Sequence, residues 1–138
     1  MKNSLHITLI FLLLLSFLRC NDREEKDYIN SAEAVKIDSV KIAQDSMDVF
    51  TIQTIRTYSE FSSSCEGFYG YDYIYVDDFT RKVTSYKFST KASCGDKKTH
   101  YSQINFRPQQ RGTYVFKFYK GIDSSGNPLW IEKMITVQ

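Results

Sequence analysis

Residues that break regular structure are scarce in this chain: its 138 residues include two prolines and six glycines, which excludes a collagen-like or low-complexity polymer and favours a packed domain. Histidine is nearly missing. Apart from His6, the only imidazole is His100, and there is no Gly-x-Ser-x-Gly elbow, no His-Glu-x-x-His and no phosphate loop. The sequence therefore implies no enzyme, cofactor or metal centre. Long apolar runs are absent as well: the longest, Ile7 to Leu18, holds about 12 residues, whereas a transmembrane helix needs about 20. Excess charge of one sign is also lacking. There are 18 Lys+Arg and 16 Asp+Glu, and with Lys2 and Arg19 set aside in the leader each sign counts 16. That balance offers no basic footprint for nucleic acid. What the chain has in quantity is aromatic: ten Tyr, ten Phe and one Trp.

Residues 1–19 read as a signal peptide, with one cation at Lys2 followed by the apolar run, which is too short for an anchor. Cys20 follows directly, and then Asn21-Asp22-Arg23-Glu24-Glu25-Lys26-Asp27. This arrangement resembles a bacterial lipoprotein precursor of the Bacteroidota type, with Arg19 where that family has a small residue. The resemblance implies cleavage before Cys20, acylation of its thiol with palmitate-type chains, and a membrane-anchored protein of the cell envelope. The site would be the outer membrane, with the protein facing the periplasm or the surface; a secreted protein cut nearby is the alternative. Residues 20–34, polar and without periodicity, read as the lipidated N-terminus and a flexible tether.

If Cys20 carries lipid, the two remaining cysteines, Cys65 and Cys94, form an even pair in an oxidising compartment and are expected to make a disulfide. Closing a loop of this size stabilises a fold by roughly 3 to 4 kcal/mol through chain entropy.

Residues 35–138 read as one domain. Runs rich in Val, Ile, Thr, Tyr and Phe at about 35–43, 47–57, 68–77, 82–90, 99–106, 113–120 and 129–137 are separated by turn residues. About seven short strands at this spacing predict an all-β fold, an antiparallel sandwich of two sheets. Alternation is sharpest in the last two: Tyr114, Phe116 and Phe118 share a face opposite Lys117, and Leu129, Ile131, Ile135 and Val137 share a parity with Lys133 as the exception. Asp123-Ser124-Ser125-Gly126-Asn127 between them suits a hairpin loop better than a Ca²⁺ site.

Gln110-Arg111-Gly112-Thr113-Tyr114-Val115-Phe116 resembles the start of strand F in immunoglobulin-like domains. There the Tyr closes a "tyrosine corner" by bonding nearby backbone. Gly112 and Tyr114 match; Gln110 replaces an Asp, and Phe116 stands where that family has a core Cys. The resemblance implies an Ig-like strand order, with the 68–77 strand beside 113–120 and that beside 129–137.

Phe68-Tyr69-Gly70-Tyr71-Asp72-Tyr73-Ile74-Tyr75-Val76 puts four tyrosines at alternate positions, on one face of a regular strand. With Phe68, Ile74 and Val76 inward, the tyrosines point out; the opposite choice buries hydroxyls that each cost about 1 to 3 kcal/mol if unpaired. Outward is the expectation. In the Ig-like order, Tyr69, Tyr71, Tyr73 and Tyr75 would join Val115, Lys117, Tyr119, Trp130 and Met134 in one aromatic face, suited to a partner protein of the envelope or to a glycan. The function read from the chain is a small binding or structural module, with a carbohydrate-binding module of a glycan-uptake system as the alternative. A hydrolase using Asp72, Asp77 or Asp78 is the weaker one. His100 reads as a surface residue.

Overall fold

The computed structural model describes residues 29–90 and 94–138. The signal segment, Cys20 and the first part of the tether lie outside the described residues.

The described chain is all β, with nine strands: β1 Ile29–Val35, β2 Ser39–Ile42, β3 Ser46–Met47, β4 Gln53–Phe61, β5 Glu66–Tyr75, β6 Thr80–Thr90, β7 Lys98–Phe106, β8 Gly112–Ile122 and β9 Pro128–Val137. They form two sheets. β2, β4 and β7 make an antiparallel three-stranded sheet. In the larger sheet β6 is central, with β5 along one edge and two strands sharing the other. β8 runs beside the first half of β6, from Thr80↔Val115 to Val83↔Phe118. β1 takes the second half, from Val35↔Ser85 to Ile29↔Thr90. β9 follows β8, and the two-residue β3 lies along the end of β9.

Three sequence expectations change here. The sandwich is mixed, because β6 runs parallel to β8 and β3 parallel to β9. The expected Ig-like order also fails: β6 stands between β5 and β8, so the tyrosine-rich strand is not β8's neighbour. Pairing also begins at Ile29, inside the segment read as tether. Ala32 and Ala34 face β6 there, across from Phe88 and Tyr86, so small side chains meet large ones.

The run expected at 47–57 is interrupted by a turn made without glycine or proline. Phe50 sits at φ 63°, and the Thr51 hydroxyl donates to the carbonyl of Asp48 at 2.6 Å. A left-handed non-glycine residue is sterically unfavourable, so its neighbours must hold it. The Phe50 amide donates to the Pro108 carbonyl at 2.9 Å, and Arg107 Nε donates to the Phe50 carbonyl at 3.1 Å.

The core lies between the sheets, centred on Ile37, Ile55, Val83, Phe116, Phe118 and Ile135, all fully buried. Alternation along β8 places Tyr114, Phe116 and Phe118 inward as expected. Phe106 meets Phe116 and Tyr114 edge-on at 5.0 and 4.9 Å between ring centres, a geometry that favours aromatic pairs. The Tyr114 hydroxyl donates to the Gln110 carbonyl at 3.1 Å, so the corner is closed as the motif implied. Gly112, at φ 145°, has no room for a Cβ against the ring of Phe79. Cys65 and Cys94 are disulfide-bonded, with Cα atoms 5.5 Å apart, joining the β4–β5 turn to the segment before β7. In the β8–β9 loop the Asp123 carboxylate accepts from the amides of Ser125 and Asn127, each at 2.8 Å, so the loop is a turn stabilised by its own acid.

Candidate functional site

The outer face of the larger sheet is where the sequence placed a binding surface, and the structure rebuilds it from partly different residues. The cause is a β-bulge. Pairing between β5 and β6 slips between Phe68 and Gly70, leaving exposed Tyr69 as the extra residue and inverting the parity of everything after it. Tyr71 and Tyr73 therefore lie opposite buried Ser85 and Val83 and pack on the core. Asp72, Ile74 and Val76 take the outward positions. The expectation that the tyrosines face outward is thus overturned for Tyr71 and Tyr73.

The buried hydroxyls find a partner or stay protonated. Tyr71 Oη and the hydroxyl of buried Thr57 lie 2.6 Å apart. Burial pushes the Tyr71 pKa up, partly opposed by hydrogen bonds with Thr57 and Ser102. Burial lifts Tyr73 further, to about 12, against the pull of the Arg81 charge. Tyr75, at the end of the strand, is 69% exposed and rests its ring 4.1 Å from the Arg81 guanidinium.

Lys117, Tyr119 and Trp130 keep the positions expected of them. Tyr119 and Trp130 are cross-strand partners whose rings meet edge-on at 6.0 Å and 70°. Lys117 pairs with Glu132 at 2.8 Å, and Lys82 Nζ sits 5.4 Å from the centre of the Trp130 ring. Along the other half of β6, between β5 and β1, the outer row continues through Tyr86 and Phe88, which sequence reasoning missed. Phe88 spreads across Gly67 and Ala32, its partners on either side. Periodicity was no help here, because β6 is inside out: Arg81, Ser85 and Lys87 turn toward the second sheet while Tyr86 and Phe88 turn away from it. The resulting face carries Ile74, Val76 and Met134 at 47, 51 and 62% exposure beside these aromatics.

No family profile, curated protein or solved structure matches this chain.

The other candidates separate. Asp72 stands exposed on the outer face of β5. Asp77 lies in the β5–β6 turn, its carboxylate accepting from the amides of Phe79 and Thr80 at 2.8 and 2.7 Å. Those bonds, Phe79 first, hold its pKa below the usual aspartate value. Asp77 and Asp78 share a cleft lining to which Asp72 does not contribute. His100, read as a surface residue, instead turns inward on β7: its ring stacks on buried Phe61 at 4.7 Å and 25°, and its Nε2 is buried without a partner. Its position opposite Ser59, on the inward row of β4, accounts for this.

Proposed function

We propose that this chain is a lipid-anchored envelope protein whose sandwich is a binding module, docking a partner protein on the outer face of the larger sheet. Anchoring is supported by the apolar run ending at Cys20 and the charged segment after it. Docking is supported by the contrast between the two outer faces. The smaller sheet turns out Lys41, Thr54, Arg56, Glu60, Gln103 and Asn105, with the Tyr58–Tyr101 pair as its aromatic part, a mostly polar surface. The larger sheet turns out Ile74, Val76, Tyr86, Phe88, Tyr119, Trp130 and Met134, the residue types that interfaces favour. A partner protein suits this face better than a linear glycan, because Tyr119 and Trp130 meet edge-on and so offer no coplanar platform for successive sugar rings.

The module is tested by cross-linking in intact cells. A partner captured by the native protein should be lost with Trp130→Ala combined with Met134→Ser, and kept with Tyr101→Ser on the opposite face. Equal capture by all three overturns the docking face. For the anchor, Cys20→Ser should move the protein from the membrane fraction to the soluble one; unchanged partitioning rules out lipidation.

A further inference from the structure

At one end of the sandwich, between the β5–β6 turn and the segment linking β7 to β8, lies an open cleft of about 960 Å³. Tyr73, Tyr75 and Arg81 line it from the larger sheet, and Asn105, Arg107 and Gln110 from the facing side. Arg81 is only 6% exposed. Its Nη1 donates to the carbonyls of Asp77 and Thr80 at 2.6 and 3.0 Å, and its Nη2 to that of Asp78 at 2.9 Å. Among the described residues no carboxylate lies within ion-pair distance of it. Its Nε is buried with no partner.

The charge therefore has backbone dipoles, the rings of Tyr75 and Tyr114 and the through-space field of Asp77 around it but no carboxylate paired to it, and a buried cation in that state favours an incoming anion. The donors not given to carbonyls are Nε–H and one Nη2–H, with the Tyr73 hydroxyl, a hydrogen-bond acceptor of the guanidinium, beside them. Those hydrogens can lie side by side along one edge of the planar guanidinium, the fork that fits both oxygens of a carboxylate. The neighbouring groups do not fill that role. Asp77's carboxylate is committed to the amides of Phe79 and Thr80, and Asp78 meets Arg81 through its main chain. The Tyr73 hydroxyl, held to about 12 chiefly by burial, stays neutral and remains a donor. Tyr75 lies over the guanidinium but is largely exposed, so its ring can swing off the fork and meet a flat ligand.

We infer that this cleft binds an acidic saccharide: a uronate whose carboxylate takes the Arg81 fork, whose hydroxyls bond the side-chain amide of Gln110, and whose ring face lies on Tyr75. Carboxylate, hydroxyls and a flat apolar face together match the three kinds of group lining the cleft. The site is separate from the outer face of the larger sheet.

The test is calorimetric titration of the mature domain with trimers of galacturonate, glucuronate, mannuronate and guluronate, with the methyl ester of any trimer that binds, and with an acetylated tripeptide bearing a free C-terminal carboxylate. At least one uronate trimer should bind, its ester at least tenfold more weakly. Arg81→Gln should abolish binding. Since that change also removes three bonds to the β5–β6 turn, a second variant is needed: Tyr75→Ala at the rim should weaken binding several-fold with an unchanged circular-dichroism spectrum, and Trp130→Ala should leave it intact. Equal affinity for acid and ester, tighter binding of the tripeptide, indifference to Tyr75→Ala, or no binding of any uronate overturns the inference.

Discussion

The two ends of β6 carry inward-facing cations that the fold treats in opposite ways. Near its C-terminal end, Lys87 has a side chain 13% exposed and reaches Glu66 at 2.6 Å and Glu33 at 3.1 Å. Near its N-terminal end, Arg81 has carbonyls and the rings of Tyr75 and Tyr114 but no paired carboxylate. The first is a closed arrangement that ties β1, β5 and β6 together. Glu66 also accepts from the Ser62 amide at 2.6 Å, so its charge is satisfied from two directions. Burial alone would raise the Glu66 pKa, but the hydrogen bonds from Lys87 and Ser62 bring it below the usual glutamate value. For Lys87, burial alone would lower the pKa, and the bonds to Glu66 and Glu33 carry it above the usual lysine value. The difference teaches that a buried cation is closed off where the chain supplies its carboxylates, and stays open to the anion proposed above where it does not.

The comparison is broken most severely by Lys87→Met, which leaves the Glu66 carboxylate buried without its cation. A loss of about 3 to 5 kcal/mol in urea unfolding is expected, and a loss under about 1 kcal/mol would reduce the pair to a surface contact. The same pair sets the pH response. Glu66's depressed pKa means that its contribution is present above 4.5, its unperturbed value, and disappears as pH falls through the lower folded value. Lys87's raised pKa means that its contribution is complete below 10.5 and disappears as pH rises through the higher folded value. Unfolding free energy from this pair should therefore be flat between those limits and fall on both sides, with Glu66→Gln flattening the acid limb. An acid limb identical in Glu66→Gln would assign it to other groups.

Removing the bridge that closes the Lys87 end, as Cys65→Ala with Cys94→Ala, should cost about 3 kcal/mol. If the oxidised native protein and this variant unfold at the same urea concentration, the bridge adds nothing. Arg81→Met is expected to cost only about 1 kcal/mol: three hydrogen bonds are lost, but so is an uncompensated buried charge, and the freed carbonyls lie in a turn open to water. A cost matching that of Lys87→Met would mean that both ends are structural. The smallest effect belongs to Glu33→Gln, below about 0.5 kcal/mol, because Glu33 is 61% exposed and Glu66 remains. A larger loss would make Lys87 depend on three strands equally.

Much of the framework was legible in the residues. Strand periodicity from Val115 to Phe118 predicted the core side of β8, Gln110 to Tyr114 predicted a corner closed by the Tyr114 hydroxyl, and the two cysteines left once Cys20 was set aside predicted each other as partners. The candidate site was legible only in its β8–β9 half. Tyr69, Tyr71, Tyr73 and Tyr75 looked like one ladder because parity assumes a regular strand, and the isolated Gly70 was the local signal that the strand bulges at Tyr69. The turn at Phe50 escaped for a different reason, since its left-handed backbone is held by Pro108 and Arg107, far along the chain.

By itself the sequence determined what each residue can contribute locally: backbone preference, alternation, turn chemistry and the number of cysteines available to pair. Those depend on near neighbours. Only the tertiary structure decided which neighbours β6 would have, and with them that Tyr86 and Phe88 face outward, Tyr71 and Tyr73 face inward, Lys87 meets its carboxylates and Arg81 does not. The physical reason is that side-chain polarity states a preference for water or core, while pairing register and sheet order settle which partners can offset the cost of going against it.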